Sequence, residues 1–128
     1  MLIRFKKRFE KIAMGLLSFM PDEKEVTKLQ DTIKEYETNE DWQLFLWKET
    51  EDVLGAIGVI LDNETNIAVV QHITVNPSHR NLGIGKKMVN ALKDYYGTSY
   101  KVIANKQTER FLEKCTENLE NCNEDTEA

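Results

Sequence analysis

Apolar residues recur at steps of three and four positions in the first third of the chain, which is the spacing of one helical face. A first set runs from Phe9 to Met20 and stops before Pro21, which cannot continue a helix. A second set predicts a helix from about Glu23 to Tyr36. The short apolar segment from Leu2 to Phe5 predicts an opening strand ahead of both.

Short apolar runs replace this pattern in the middle of the chain and predict strands. The first is Trp42 to Trp47, rich in aromatic and branched residues. The run from Val53 to Leu61 is almost continuously apolar, which is typical of a strand covered on both faces. Asp62 to Asn66 is a turn sequence, so the strand predicted from Ile67 to Val75 is expected to form an antiparallel hairpin with the preceding one.

The last third predicts a helix, a strand and a further helix. An amphipathic helix follows two glycines and runs to about Tyr96, a strand covers Tyr100 to Ala104, and a last helix runs from Thr108 to about Leu119. A helical connection between the strands that end at Val75 and Ala104 implies that these two are parallel. The predicted order is β-α-α-β-β-β-α-β-α.

Composition places the chain among ordinary soluble domains. It has 128 residues, 41% hydrophobic and 30% charged, and we expect one domain over residues 1–117 with an acidic, disordered tail over 118–128. The net charge of −5 argues against nucleic-acid binding, and no apolar run approaches the roughly 20 residues that cross a bilayer. Cys115 and Cys122 fit neither a metal site nor a disulfide framework, so we expect no metal and a cytoplasmic location.

The segment Arg80-Asn81-Leu82-Gly83-Ile84-Gly85 joins a predicted strand to a predicted helix. Such a loop leaves backbone N–H groups unpaired at a helix N-terminus, where the helix dipole also favours a phosphate. Glycine at positions 83 and 85 lets the backbone approach that ligand. Two nucleotide motifs fail, since a dinucleotide fingerprint needs glycine in place of Met88 and a Walker loop needs Ser or Thr in place of Lys87.

These six residues resemble the motif Arg/Gln-x-x-Gly-x-Gly/Ala of the GNAT superfamily of N-acetyltransferases. The segment Ile73 to Pro77 resembles the family's entry into this loop, and Gly55 to Val59 resembles its third strand, so the resemblance covers about residues 1–115. It implies the GNAT fold, an α/β (α+β) architecture with a central mixed, mostly antiparallel sheet flanked by helices, here with a shortened C-terminus. It also implies acetyl-CoA as the cofactor.

The resemblance assigns cofactor contacts to three places. Amides from Leu82 to Lys86 hold the pyrophosphate, the pantetheine arm lies along the strand edge at Ile73 to Val75, and Asn105 contacts the pantetheine. The amide of Ile73 or Val75 polarises the thioester carbonyl. The full set is Ile73, Thr74, Val75, Arg80, Asn81, Leu82, Gly83, Ile84, Gly85, Lys86 and Asn105.

The catalytic residues are less clearly marked. Many relatives carry a tyrosine on the last helix that protonates the departing thiolate, and Leu112 stands in its place here. Tyr95, Tyr96 or Tyr100 could substitute, or water could supply the proton. The candidates for a base are His72, whose imidazole titrates in the useful range, and Glu64 in the turn before its strand.

Two functions follow from these observations. The first is an acetyl-CoA-dependent N-acetyltransferase acting on an amine of a small molecule or a protein. The alternative is a CoA-binding or regulatory module without catalysis, with a link to riboflavin metabolism that rests on resemblance alone. An unpaired sheet edge at the shortened C-terminus would favour a homodimer.

Overall fold

The computed structural model describes residues 1–20, 25–79, 83–105 and 108–109. Five strands, three α-helices and two short 3-10 turns make up this part of the chain. The strands are β1 (Leu2–Arg4), β2 (Trp42–Glu49), β3 (Asp52–Asp62), β4 (Ile67–Val75) and β5 (Lys101–Ala104). The helices are α1 (Glu10–Leu17), α2 (Val26–Thr38) and α3 (Ile84–Tyr96), with 3-10 turns at Lys7–Phe9 and Pro77–His79.

The strands form one sheet in the order β1-β2-β3-β4-β5. The first four pair antiparallel, and β4 pairs parallel with β5. The predicted hairpin between β3 and β4 and the predicted parallel pair at the end of the sheet are therefore confirmed. So is the expected architecture, a mixed, mostly antiparallel sheet flanked by helices.

Two apolar cores lie on opposite faces of the sheet. Helices α1 and α2 cover one face, where Leu17, Ile33 and Leu46 are almost inaccessible to solvent. Helix α3 covers the other face, where Met88 and Leu92 pack against β3 and β4. Because both faces are covered, nearly all of β3 is buried, as its apolar run predicted.

A bulge interrupts β4 in the middle of the sheet. His72 lies opposite Gly58 and Val70 lies opposite Val59, so Gln71 is an extra residue without its own partner on β3. Because of the extra residue, the backbone groups and side chains after Gln71 face the opposite way from the one they would face in a regular strand. No glycine or proline marks this position, and the sequence did not predict it.

The N-terminal helices are shorter than predicted at their start or end. Helix α1 stops at Leu17, three residues short of Met20, and α2 begins at Val26.

The predicted last helix lies outside the described residues apart from Thr108 and Glu109, and so does the predicted tail. Within the described ranges, none of the helices is long and apolar enough to cross a bilayer. The same ranges contain no cluster of side chains suited to a metal ion.

Candidate active site

Strand β4 continues beyond the point where β5 stops pairing with it. The parallel ladder ends at Val70 opposite Ala104, while β4 runs on to Val75. Thr108 fixes this end point, because its hydroxyl donates to the carbonyl of Val70 at 2.6 Å. The side chain of Asn105 in turn accepts the amide of Thr108 at 2.9 Å. We call the side of Gln71–Val75 that faces away from β3 the distal edge of β4.

The amides of Ile73 and Val75 point toward this distal edge. Asn76 donates its N–H to Leu54 on β3 at 2.8 Å, which fixes the direction of that amide. Backbone groups alternate in direction along a strand, so the amides one and three residues earlier face away from β3. The bulge at Gln71 is the reason, since without the extra residue the alternation carried over from Val70 would direct these amides at β3.

The N-terminus of α3 presents backbone donors without a competing acid. Lys87 makes the first intrahelical bond, from its N–H to the carbonyl of Gly83, so the amides of Ile84, Gly85 and Lys86 precede the helical ladder. No side chain caps this terminus in the described chain, and the first turn carries no Asp or Glu. Such a terminus suits an anion, because three N–H groups and the positive end of the helix dipole coincide.

Glycine is required at position 83 by its backbone conformation. Its φ of 76° lies in the left-handed region that side chains with a Cβ rarely adopt. A Cβ at this position would meet no atom of the described residues within 4 Å. The constraint is therefore conformational, and the space beside Gly83 is available to a ligand.

A close contact with β3 holds this end of α3 against the sheet. Met88 is fully buried, and its sulfur would lie 2.9 Å from a Cβ built on Gly55. The same Cβ would lie 3.0 Å from the carbonyl oxygen of Thr74. The absence of a side chain at Gly55 thus lets the first turns of α3 dock against the end of β4, beside its distal edge.

Lysine charge is partly neutralised at this helix end. The Lys87 ammonium lies 3.3 Å from the Glu49 carboxylate on β2, and both side chains are largely exposed. The indole N–H of Trp47, which donates to the same carboxylate, and Lys87 hold the pKa of Glu49 below its usual range. Among the described residues, Lys86 forms no ion pair with an acidic side chain. Its charge, unlike that of Lys87, is therefore available to an anion bound at this helix end.

A buried polar cluster occupies the opposite face of β4, under α2. The Tyr36 hydroxyl lies 2.6 Å from Nδ1 of His72 and accepts a hydrogen bond from Nε2 of Gln71 at 2.8 Å. All three side chains are buried. Gln71 and His72 both reach the phenol because they are the two residues that the bulge sets opposite a single residue of β3.

Gly58 makes the space for this hydroxyl. A Cβ at position 58 would lie 2.1 Å from the Tyr36 oxygen and 2.6 Å from the ring carbon that carries it. Trp42 packs against the ring of Tyr36 in an edge-on arrangement, with centroids 5.3 Å apart. The hydroxyl is therefore confined from the sheet side, and its position over Gly58 is set by backbone.

Comparison with known proteins identifies the fold. The fold matches AAC(6′)-Iy, solved with the bisubstrate analogue CoA-S-monomethyl-acetylneamine, at a TM-score of 0.73 and 12% identity over 93% of this chain and 87% of that chain. It matches a chimera of the spermidine N-acetyltransferase SpeG from Vibrio cholerae and hSSAT at 0.69 and 14% identity, over 90% and 80%. At these identities the likeness shows the fold alone.

The sequence itself decides the family. The acetyltransferase (GNAT) family profile matches residues 12–116. The chain belongs to the GNAT family. It is an acyltransferase, and it is 62% identical over 115 residues to an uncharacterized N-acetyltransferase in the lysA 3′ region of Bacillus methanolicus, covering 90% of this chain and 94% of that protein.

The structure brings together most of the described residues that the GNAT resemblance assigned to the cofactor. Ile73, Thr74 and Val75 form the end of β4, and Gly83 to Lys86 begin the helix that docks beside it. Asn105 lies where β5 ends. Arg80, Asn81 and Leu82, the first half of the GNAT motif, lie outside the described residues, as does Leu112.

The candidate base residues are far apart. His72 lies two residues beyond Val70, the last residue of β4 that pairs with β5, and is next to the distal edge. Glu64 is exposed in the hairpin turn before Ile67, so about 16 Å of strand separates that turn from His72. The structure therefore places Glu64 at the other end of the sheet from the α3 N-terminus.

Three of the four tyrosines lie on the α3 side of the sheet, in the last turn of α3 or just after it. Tyr95 and Tyr96 are in the last turn of α3, about 18–20 Å along the helix from Gly83. Tyr96 donates its hydroxyl to Gln43, and Tyr100 donates to Asn63 in the hairpin turn. The fourth tyrosine, Tyr36, is the one whose hydroxyl contacts β4 beyond its ladder with β5.

Sequence reasoning missed Tyr36 and Gln71 as buried polar neighbours of His72. Tyr36 fits the apolar stripe of α2, and that fit hides its hydroxyl. Gln71, a polar residue inside an apolar strand, was the available signal, because a buried amide needs a polar partner.

His79 is a further polar group near the loop. Its Nδ1 is buried and has no hydrogen-bond partner among the described residues. The residue closes the 3-10 turn Pro77–His79, immediately before Arg80.

Proposed function

We propose that the chain is an acetyl-CoA-dependent N-acetyltransferase acting on a primary amine. The observation that supports this most is the meeting of two features at one end of the sheet. The uncapped N-terminus of α3 lies beside the end of β4, whose amides at Ile73 and Val75 face the distal edge. The helix N-terminus suits a pyrophosphate, and the strand edge suits an extended arm that contains amides.

The residues fit acetyl-CoA, which supplies the acetyl group as a thioester when bound. The amides of Ile84, Gly85 and Lys86 would hold the pyrophosphate, with the Lys86 ammonium adding charge. The distal edge of β4 would bind the pantetheine arm as an added strand does. An amide there, that of Ile73 or Val75, would donate to the thioester carbonyl and stabilise negative charge developing on its oxygen.

His72 would accept the proton that the amine loses. It lies on the face of β4 covered by α2, within two residues of the end of the β5 ladder. A neutral imidazole is the side chain that takes up a proton near neutral pH. The first two helices border this face, so we propose that the acceptor approaches from their side.

Release of free CoA thiol tests the proposal. The protein would be offered acetyl-CoA with neamine, with spermidine, and with a short peptide bearing a free N-terminus. Thiol release above the rate without amine, lost in His72→Gln while acetyl-CoA still binds, is the expected result. Equal release with and without every amine would argue against an acetyltransferase acting on these classes.

A CoA-binding module without catalysis is the second proposal. It is favoured by Leu112 in the position where many GNAT relatives carry a tyrosine. The whole chain also resembles RibT, the acetyltransferase-like protein of bacterial riboflavin gene clusters, and a riboflavin link is proposed on that resemblance alone. This alternative predicts saturable CoA binding and no thiol release with any amine. Homodimer formation and a cytoplasmic location remain predictions from the sequence.

A further inference from the structure

We propose that Thr108 is a positioning residue for the cofactor, whose hydroxyl holds β5 away from β4 at the point where the distal edge begins. This hydroxyl lies between two backbone groups of the parallel ladder, the N–H of Asn105 and the carbonyl of Val70. The opening of the ladder stands on this geometry alone, whereas its use by a pantetheine arm rests on the proposed function.

The parallel ladder between β4 and β5 widens toward this point. At its start, the N–H of Lys101 donates to the carbonyl of Asn66 at 2.9 Å. Four residues further along both strands, the equivalent bond from Asn105 to Val70 measures 3.4 Å. The first length is ordinary for a backbone hydrogen bond, and the second exceeds the usual range of about 2.7–3.2 Å. The last amide–carbonyl pair of the ladder is therefore partly open.

The Thr108 hydroxyl bridges this pair with two bonds of its own. Its oxygen accepts the N–H of Asn105 at 3.1 Å, and it donates its proton to the carbonyl of Val70 at 2.6 Å. The Oδ1 of Asn105 lies 3.1 Å from the same hydroxyl, so the Val70 carbonyl is the closer acceptor for its single proton. Because a hydroxyl accepts and donates at the same time, both backbone groups stay hydrogen-bonded while the strands separate.

Local structure fixes the hydroxyl in this place. The carbonyl of Asn105 accepts the N–H of Glu109 at 2.9 Å, and its Oδ1 accepts the N–H of Thr108 at 2.9 Å. Since the Thr108 hydroxyl accepts the N–H of Asn105 in return, the two residues form a reciprocal cap of the capping-box type. Thr108 is 1% exposed, so water does not compete for these bonds.

The opening of the ladder coincides with the bulge of β4. Val70 directly precedes Gln71, the extra residue that turns the later amides toward the distal edge. The bulge thus directs the amide of Ile73 away from β3, and the Thr108 hydroxyl keeps β5 from pairing further along β4. An extended pantetheine arm would then take the place that β5 leaves. The hydroxyl should therefore affect the arm and not the pyrophosphate, which the N-terminus of α3 would hold.

Scalar coupling across hydrogen bonds tests the open pair without any ligand. In protein labelled with nitrogen-15 and carbon-13, a coupling between the Lys101 amide and the Asn66 carbonyl should be detected and shows that the ladder is formed. The coupling between Asn105 and Val70 should be undetected in the parent and should appear in Thr108→Val, where the two groups close on each other. A parent coupling from Asn105 to Val70 as large as that at Lys101 would overturn the proposal. So would its absence from a Thr108→Val that keeps the Lys101 coupling.

Affinity for two ligands tests the use of the opening. The first is acetyl-CoA, and the second is 3′-phospho-ADP, which carries the pyrophosphate and lacks the pantetheine arm. Thr108→Val should weaken acetyl-CoA binding by about 5- to 50-fold, the equivalent of one or two lost hydrogen bonds. Its affinity for 3′-phospho-ADP should stay within about twofold, because that ligand needs only the α3 N-terminus. Thr108→Ser keeps the hydroxyl and should bind both ligands as the parent does.

Tyr96→Phe is the matched control for lost stability. It also removes the hydroxyl of a buried residue that donates at 2.6 Å, but to Gln43 on β2. It should leave both couplings and both affinities at their parent values. Parent affinity for acetyl-CoA in Thr108→Val, or an equal loss for the two ligands, would overturn the positioning role. If the parent binds neither ligand, the proposed function fails, and the couplings still decide whether the hydroxyl holds the strands apart.

Discussion

Substitution of Gly58 by alanine tests the polar cluster through the backbone that makes room for it. The new Cβ would lie 2.1 Å from the Tyr36 oxygen and 2.6 Å from the adjoining ring carbon. Ordinary contacts need roughly 3.5 Å, so the ring must retreat by about 1 Å. The contacts that confine it are Trp42 at its edge and the bulged segment of β4, and the oxygen would leave both Gln71 and His72.

Two costs add in this variant. Overpacking of a well-filled core costs about 1–3 kcal/mol. Loss of the hydrogen bonds to two buried polar side chains costs about 1–3 kcal/mol more. We therefore expect Gly58→Ala to lower the free energy of unfolding by about 2–6 kcal/mol. Urea denaturation followed by circular dichroism measures this free energy.

Gly15→Ala is the matched control for this experiment. Gly15 lies on the exposed side of α1, where an added Cβ would meet nothing within 4 Å in the part of the chain that the structure describes. Alanine there should raise stability by about 0.5–1 kcal/mol, since glycine is a poor helix former. Neutral substitutions change the free energy of unfolding by no more than about 0.5 kcal/mol. If the value for Gly58→Ala lies within that range of the parent, the confinement of Tyr36 is refuted.

Three other residues give separate predictions. Thr108→Val removes the donor that ends the β4–β5 ladder at Val70, and should cost about 1–3 kcal/mol in urea denaturation; parent stability would contradict the role of this hydroxyl. Glu49→Gln frees Lys87 beside the α3 N-terminus and should tighten CoA binding by less than about fivefold, an effect that shrinks as salt is raised; weaker binding would show that the pair helps to order the site. Burial raises the pKa of Tyr96, so the folded state disfavours the phenolate and this contribution to stability, complete below pH 10, is lost as pH rises above it. Stability of Tyr96→Phe should accordingly fall less between pH 9 and 11 in urea melts than that of the parent, and identical slopes would rule out this titration.

Most of the sheet could be predicted because its strands carry the two patterns that sequence reveals well. The apolar run before Asp62 and the turn residues after it predict a buried hairpin, and β4 begins and ends at the predicted residues Ile67 and Val75. The parallel pairing of β5 followed from the helix between the strands. Helix ends were predicted less well, because apolar spacing continues past Leu17 while the hydrogen-bonded ladder of α1 does not.

The bulge could not be predicted, and the arrangement of the candidate active site on β4 depends on it. A one-residue shift at Gln71 sets Gln71 and His72 on one face and directs later amides to the distal edge. Whether a strand carries an extra residue depends on how its partner pairs with it, and that information is not local to the strand. The pattern of α2 likewise indicates only a packing role for Tyr36, because the contacts of its hydroxyl depend on the bulged strand.

The cofactor loop was the part of the site most open to prediction. Two glycines between a strand and an amphipathic helix carry a physical meaning, and the φ of 76° at Gly83 and the uncapped start of α3 agree with it. The candidate base was the hardest part of the site to predict, because a histidine or glutamate in a sequence says little about which residues surround it. His72 and Glu64 could be separated only once the fold placed them at different ends of the sheet.

Calorimetric titration with acetyl-CoA, comparing the parent with Gly83→Val and Gly97→Val, tests the central claim most directly. Both glycines have positive φ and lie at the two ends of α3. Gly97, with φ 55° and ψ −122°, lies outside the left-handed region that Gly83 adopts, so Gly97→Val carries at least as much backbone strain as Gly83→Val. We predict saturable binding by the parent and by Gly97→Val, and loss of binding in a still-folded Gly83→Val. Unchanged affinity in Gly83→Val, or no binding by the parent, would contradict the assignment of the cofactor site to the N-terminus of α3.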